Sequence, residues 1–133
     1  IKQFISDRIG VEVDELTDEV DIVGDLGCCG DDLDELIQEY AKQFNVEIAD
    51  YLWYFHSEDE GHVNNIGRLF FRTPHDRVEH IAITPKLLFE CANKGKWDID
   101  YPNHKIPKFR LDGVVNIIFI LLIVFIWIAK CSA

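Results

Sequence analysis

Asp21 to Ile48, DIVGDLGCCGDDLDELIQEYAKQFNVEI, reads as a glycine-bearing loop that feeds an acidic amphipathic helix. Leu33, Leu36, Ile37, Tyr40, Ala41 and Phe44 recur at the three- and four-residue spacing of one helical face. Asp32 followed three residues later by Glu35 has the pattern of a capping pair, and Asp31 is a second choice of cap. Asp31, Asp32, Asp34 and Glu35 crowd the first turn, where unpaired N–H groups and the helix dipole favour negative charge.

Working outward, Ile1, Phe4, Ile5 and Ile9 share one face of a first helix that Gly10 stops. Between the two helices, Gly24, Gly27 and Gly30 read as backbone turns. A calcium loop started at Asp21 or Asp25 does not bring oxygen ligands, glycine and final glutamate into place. A phosphate loop is excluded too, since no G-K-S/T follows and the carboxylates would repel the anion.

The run resembles acyl carrier proteins, whose pattern is a hydrophobic residue, an acidic D-L-G loop, D-S-L-D and an acidic helix ending in F-x-x-x-I. Ile22, Asp25, Leu26, Gly27, Glu35, Leu36, Phe44, Glu47 and Ile48 align without a gap, and Gly10-Val11 and Glu15-Leu16-Thr17 fit the preceding segment. The resemblance implies a small all-α bundle with an acidic docking helix. It does not extend to the prosthetic group. The phosphopantetheine-serine position is Gly30 in the ungapped match, or Asp32 if Asp31 to Asp34 is set on D-S-L-D, and neither has a hydroxyl. The serines are Ser6, Ser57 and Ser132, none in this loop, so no cofactor is expected.

Cys28 and Cys29 stand just before that position. A helix N-terminus lowers a thiol pKa, whereas Asp31 and Asp32 oppose this, and small space-filling roles fit best. With Cys91 and Cys131 the chain has four cysteines and no C-x-x-C pair, which suits a reduced, cytoplasmic setting. Ile1 to Gly10 is amphipathic and too short to read as a signal peptide.

Tyr51 to Phe55 is aromatic-rich and turns acidic at Glu58, Asp59 and Glu60, an aromatic core with a solvated loop. In a carrier fold the short third helix falls here. Residues 61–80 are then an insertion before the last helix, an extra hairpin or short helix in which Arg68, Arg72 and Arg77 alternate with Leu69, Phe70 and Phe71. It is expected to face either the membrane or the acidic helix. His56, His62, His75 and His80 have no metal-ligand spacing. Thr84-Pro85 opens a further helix, with Thr84 as N-cap, an Ile83–Leu88 staple, an inner face of Leu87, Leu88, Cys91 and Ala92, and Gly95 as stop. Ile83 to Trp97 together with Gly30-Asp31-Asp32 is also similar to a bacterial family of acyl-carrier-like proteins, mostly enterobacterial, that carry G-D-D in place of the serine motif. The joint resemblance covers residues 1–98.

Residues 99–110 form a basic linker with Pro102 and Pro107, approached and crossed by Lys94, Lys96, Lys105, Lys108 and Arg110. From Val114 to Ala129 the one polar residue is Asn116 and there is no charge, so 111–130 reads as a transmembrane helix, with Trp127 as an interfacial anchor. Five basic residues before the span against Lys130 after it orient the domain to the cytoplasmic side of an inner membrane. The formal charge of −11 argues against nucleic acid and suits either a partner with a basic patch or simple solubility, the commoner role of such charge.

The expected function is a tail-anchored, acyl-carrier-like interaction module. Asp31, Asp32, Asp34, Glu35 and Glu39 would dock on a membrane enzyme or transporter, while 111–130 engages the bilayer. The alternative is an active carrier in lipid or envelope acyl chemistry, through a thioester on Cys28 or Cys29. No Ser/His/Asp or Cys/His grouping is supported by spacing, so the chain is not read as an enzyme.

Overall fold

A computed structural model describes residues 1–58 and 66–131. Asp59, Glu60, Gly61, His62 and Ser132 lie outside the described residues. The described residues are helical, with no strand. The α-helices are α1 (Lys2–Ile9), α2 (Gly30–Phe44), α3 (Pro85–Lys94) and α4 (Leu111–Cys131). Short 3-10 turns at Val13–Glu15, Trp53–Phe55, Ile66–Leu69 and His75–Arg77 punctuate the connections.

The apolar spacing of α2 is realised as a buried stripe of Leu33, Leu36, Ile37 and Tyr40. Each such side chain contributes about 1.5–3 kcal/mol on leaving water. Phe4 and Ile5 of α1, Ile22 and Leu16 of the intervening loop, Ile83, Leu88 and Cys91, and Trp97 close the same core. The Tyr40 hydroxyl donates to the Leu88 carbonyl at 2.5 Å, tying α2 to α3. Asn45 (φ 53°) ends α2 in the left-handed region, and the chain then makes one parallel bridge between Glu47 and Lys96.

At α3, the Thr84 hydroxyl accepts from the Leu87 N–H at 3.1 Å, Pro85 opens the helix and Gly95 (φ 71°) stops it. The start of α2 differs from expectation. The cap position is Cys29, extended at φ −136°, and its side chain makes no capping hydrogen bond. Asp31 and Asp32 fall inside the first turn, too late to cap, though well placed for the dipole. The Gly30 N–H instead points to the Ser57 hydroxyl, 3.5 Å away.

The third helix expected within 49–60 is a single 3-10 turn, Trp53–Phe55. Its backbone is engaged from outside the segment: the Leu52 N–H donates to the Tyr101 hydroxyl, and the Ile81 N–H donates to the Phe55 carbonyl. Residues 66–80 hold two 3-10 turns, not a hairpin. Packing continues past residue 98, since the Tyr101 ring lies tilted against Phe55 and the His104 ring meets Phe55 edge-on.

α4 spans 21 residues, and its 18-residue apolar window has a mean hydropathy of 2.7 and is 0% buried, so it is long and apolar enough to cross a membrane. A helix apolar all round with no protein covering it has the pattern of a span rather than of a core helix. Its foot is seated on the domain through Ile66–Leu69, where Gly67 meets the backbone of Asp112.

Candidate functional site

Asp31, Asp32, Asp34 and Glu35 are all exposed, on the first two turns of α2. Glu39, one turn further, is half-buried and paired with Arg8 of α1. The structure thus leaves four of the five expected docking side chains exposed and half-buries the fifth against Arg8. Between α1 and α2 lies a cleft of about 290 Å³ whose lining includes Leu26, Cys28 and Leu36 with Arg8, Asp32 and Glu35. The face is therefore acidic with an apolar floor.

The adjacent cysteines separate. Cys28 is buried in the core and free. Burial, then the nearby Asp32 carboxylate, pushes its thiol up to about 11, so almost none is thiolate at neutral pH. Cys29 is exposed at the cap of α2. Ser57 is buried, and its hydroxyl also donates to the Glu58 carbonyl at 3.1 Å. No spacing in the sequence marked Ser57, because it meets Gly30 from 27 residues away.

The loop before α2 is held by Asp21. Its carboxylate accepts from the Val23 N–H at 3.0 Å, the Ile83 N–H at 3.3 Å and His80 Nε2 at 2.6 Å. Burial opposes ionisation of Asp21, but the bonds from His80, Val23 and Gly24 outweigh it and hold the carboxyl below its usual range. A Cβ at Gly24 would stand 2.7 Å from an Asp21 carboxylate oxygen, so a larger residue there would displace this carboxylate.

Sequence reasoning placed the aromatic core without its wiring. His56 is buried, stacked on Tyr51 at 5.4 Å and wedged against Trp97. Its Nδ1 lies 2.6 Å from the Ile81 carbonyl, which can only accept, so Nδ1 carries the proton. Nε2, 2.8 Å from the Tyr101 hydroxyl, then accepts. Tyr101 in turn accepts from Trp97 Nε1 at 2.8 Å and from the Leu52 N–H, which leaves its own proton for His56. Burial lowers the His56 pKa to about 4, so the ring is neutral at pH 7. With both nitrogens engaged, this histidine is not poised as a base for Cys28.

At the foot of α4, Asp76 accepts from Arg68 Nε at 3.1 Å and Nη2 at 2.7 Å and from the Thr73 hydroxyl at 2.7 Å. The Arg68 guanidinium, with Thr73, holds the Asp76 carboxyl far below the usual carboxylate range. Arg110 reaches Asp112 at 2.9 Å, and a shallow pocket there is lined by Phe71, Arg72, Arg77, Phe109 and Arg110. Among the described residues no group of three His, Cys, Asp or Glu is placed to hold a metal ion.

These features define a small acidic helical domain carrying one C-terminal helix with the dimensions of a membrane span. Residues 1–100 match the model of a family described as protein of unknown function, DUF1493, and the chain belongs to that family. No solved structure matches the chain.

Proposed function

We propose that the protein is a membrane-anchored, acyl-carrier-like interaction module, with α4 as its anchor and the acidic face of α2 as its docking surface. The observation that carries this reading is the exposure of Asp31, Asp32, Asp34 and Glu35 beside an apolar-floored cleft, on a domain whose chain continues into an uncovered apolar helix. A basic, amphipathic surface of a membrane enzyme or transporter complements such a face in both charge and apolar contact. Anchoring both partners in one bilayer raises their effective concentration, so a modest contact suffices. The domain would lie on the cytoplasmic side, by the excess of basic residues before the span.

The carrier likeness is one of scaffold. A serine hydroxyl does lie at Gly30, but it belongs to the buried Ser57 and faces the helix backbone. Purification of the full chain from its native membrane in mild detergent, with companions identified by mass spectrometry, tests the reading. One stoichiometric membrane protein is expected, and Asp32→Lys with Glu35→Lys should release it while leaving the fold intact. A companion retained by that double variant would refute acidic docking.

The exposure of Cys29 at the cap of α2 favours one second reading, an acyl carrier loaded through a Cys29 thioester. Intact mass of the chain from its own host decides it. An adduct lost on mild hydroxylamine supports the thioester, and a bare mass excludes it.

A further inference from the structure

We propose that the basic, aromatic foot of α4 is a binding surface for the headgroup of an anionic phospholipid, with Arg72 and Arg77 as its phosphate-binding cations. The proposal rests on the reading of α4 as a membrane span.

The chain carries 24 Asp and Glu against 13 Lys and Arg, yet six of those cations fall within 66–77 and 105–110. Asp76 and Asp112 are the only carboxylates within 66–77 and 105–112, and each is already engaged, by Arg68 and by Arg110. Among the described residues no carboxylate pairs with Arg72, Arg77, Lys105 or Lys108. The Arg77 Nε donates to the Arg72 carbonyl at 3.3 Å, which draws these two residues together and leaves the rest of the Arg77 fork for another acceptor. An overall acidic domain is repelled by an anionic surface, so a cluster of this sign at this place localises the contact.

Depth decides between a lipid and an acidic protein. Gly67 against Asp112 fixes the 66–77 segment at the first turn of α4, the level at which a spanning helix leaves the hydrocarbon. Leu69, Phe70 and Phe109 are 82%, 70% and 78% exposed. A water-borne acidic protein would satisfy the guanidinium groups but would not reach side chains at the level of the hydrocarbon. A phospholipid supplies a phosphate at the level of the cations and acyl chains at the level of the apolar side chains.

The test uses the full chain in nanodiscs of equal parts dioleoylphosphatidylcholine and dioleoylphosphatidylglycerol. Alkaline carbonate extraction first reports insertion. Native mass spectrometry then counts the lipids the protein keeps on release. Phosphatidylglycerol should be retained over phosphatidylcholine by about tenfold or more, and Arg72→Gln with Arg77→Gln should bring the ratio near parity, at about fivefold per cation. Lys105→Gln with Lys108→Gln, outside the 66–77 turns, should lower the ratio in part and serves if the arginine variant misfolds. Parity in the wild type, or an unchanged ratio in both variants, overturns the proposal. An inserted chain at parity overturns lipid recognition alone. A chain extracted by carbonate overturns the membrane reading and this proposal with it. An acidic protein companion lost with the same arginine pair, with phosphatidylglycerol at parity, assigns the surface to protein and overturns the lipid.

Discussion

Gly67 lies so close to Asp112 that a Cβ at position 67 would stand 1.9 Å from the Asp112 carbonyl oxygen. The contact joins the 66–69 turn to the first turn of α4, so the apolar helix is seated on the domain rather than hung from a free linker. Gly67→Ala forces the two backbones apart, at a cost of about 1–3 kcal/mol. Gly113→Ala, with nothing within 4 Å of its Cβ, should be tolerated. Thermal unfolding of the two variants in detergent checks this, and an unchanged midpoint for Gly67→Ala would show that the seat is not a stabilising contact.

His56 makes stability depend on pH. Its pKa is about 4 in the folded chain, below the ordinary 6.5, so the unfolded state binds the extra proton first as pH falls. The stabilisation is whole above pH 6.5 and is lost progressively between 6.5 and 4, by about 3 kcal/mol in all. Urea unfolding at pH 7.5 and 5.0 should show the drop. An NMR titration in which the His56 ring protonates near 6.5 would contradict the buried neutral assignment.

The two tyrosines beside His56 should respond differently to loss of their hydroxyls. Tyr101 holds three partners, and Tyr101→Phe strands His56 Nε2, Trp97 Nε1 and the Leu52 N–H, a loss of about 1–3 kcal/mol or more. The buried Tyr51 hydroxyl has no partner among the described residues. Tyr51→Phe should therefore be neutral within about 0.5 kcal/mol, or stabilising. Equal losses for the two variants would overturn this wiring.

Cys28 and Cys29 should differ in reactivity despite their adjacency. Iodoacetamide at pH 8, followed by peptide mapping, should label Cys29 at least about tenfold faster than Cys28, since Cys29 is exposed whereas Cys28 is buried and its thiol is pushed up to about 11. Equal labelling of the folded protein would mean that the core opens at Cys28.

Much of this was written in the chain. The three- and four-residue spacing on α2, the Thr84-Pro85 start and Gly95 stop of α3 and the charge-free apolar run of α4 are local signals, and helices answer to local signals because their hydrogen bonds close within four residues. The same spacing placed Leu33, Leu36, Ile37 and Tyr40 in the core and Asp31, Asp32, Asp34 and Glu35 in solvent. The tertiary structure alone decided what depends on residues far apart in sequence. Ser57 meets the start of α2 in place of the expected Asp caps, and Arg8 engages Glu39. Tyr101 and Ile81 take over the hydrogen bonding that a third helix would have made for itself. Gly67 could be recognised as a seat for α4 only once Asp112, 45 residues on, had been brought against it. Such pairings carry no periodicity, and only the closing of the core fixes them.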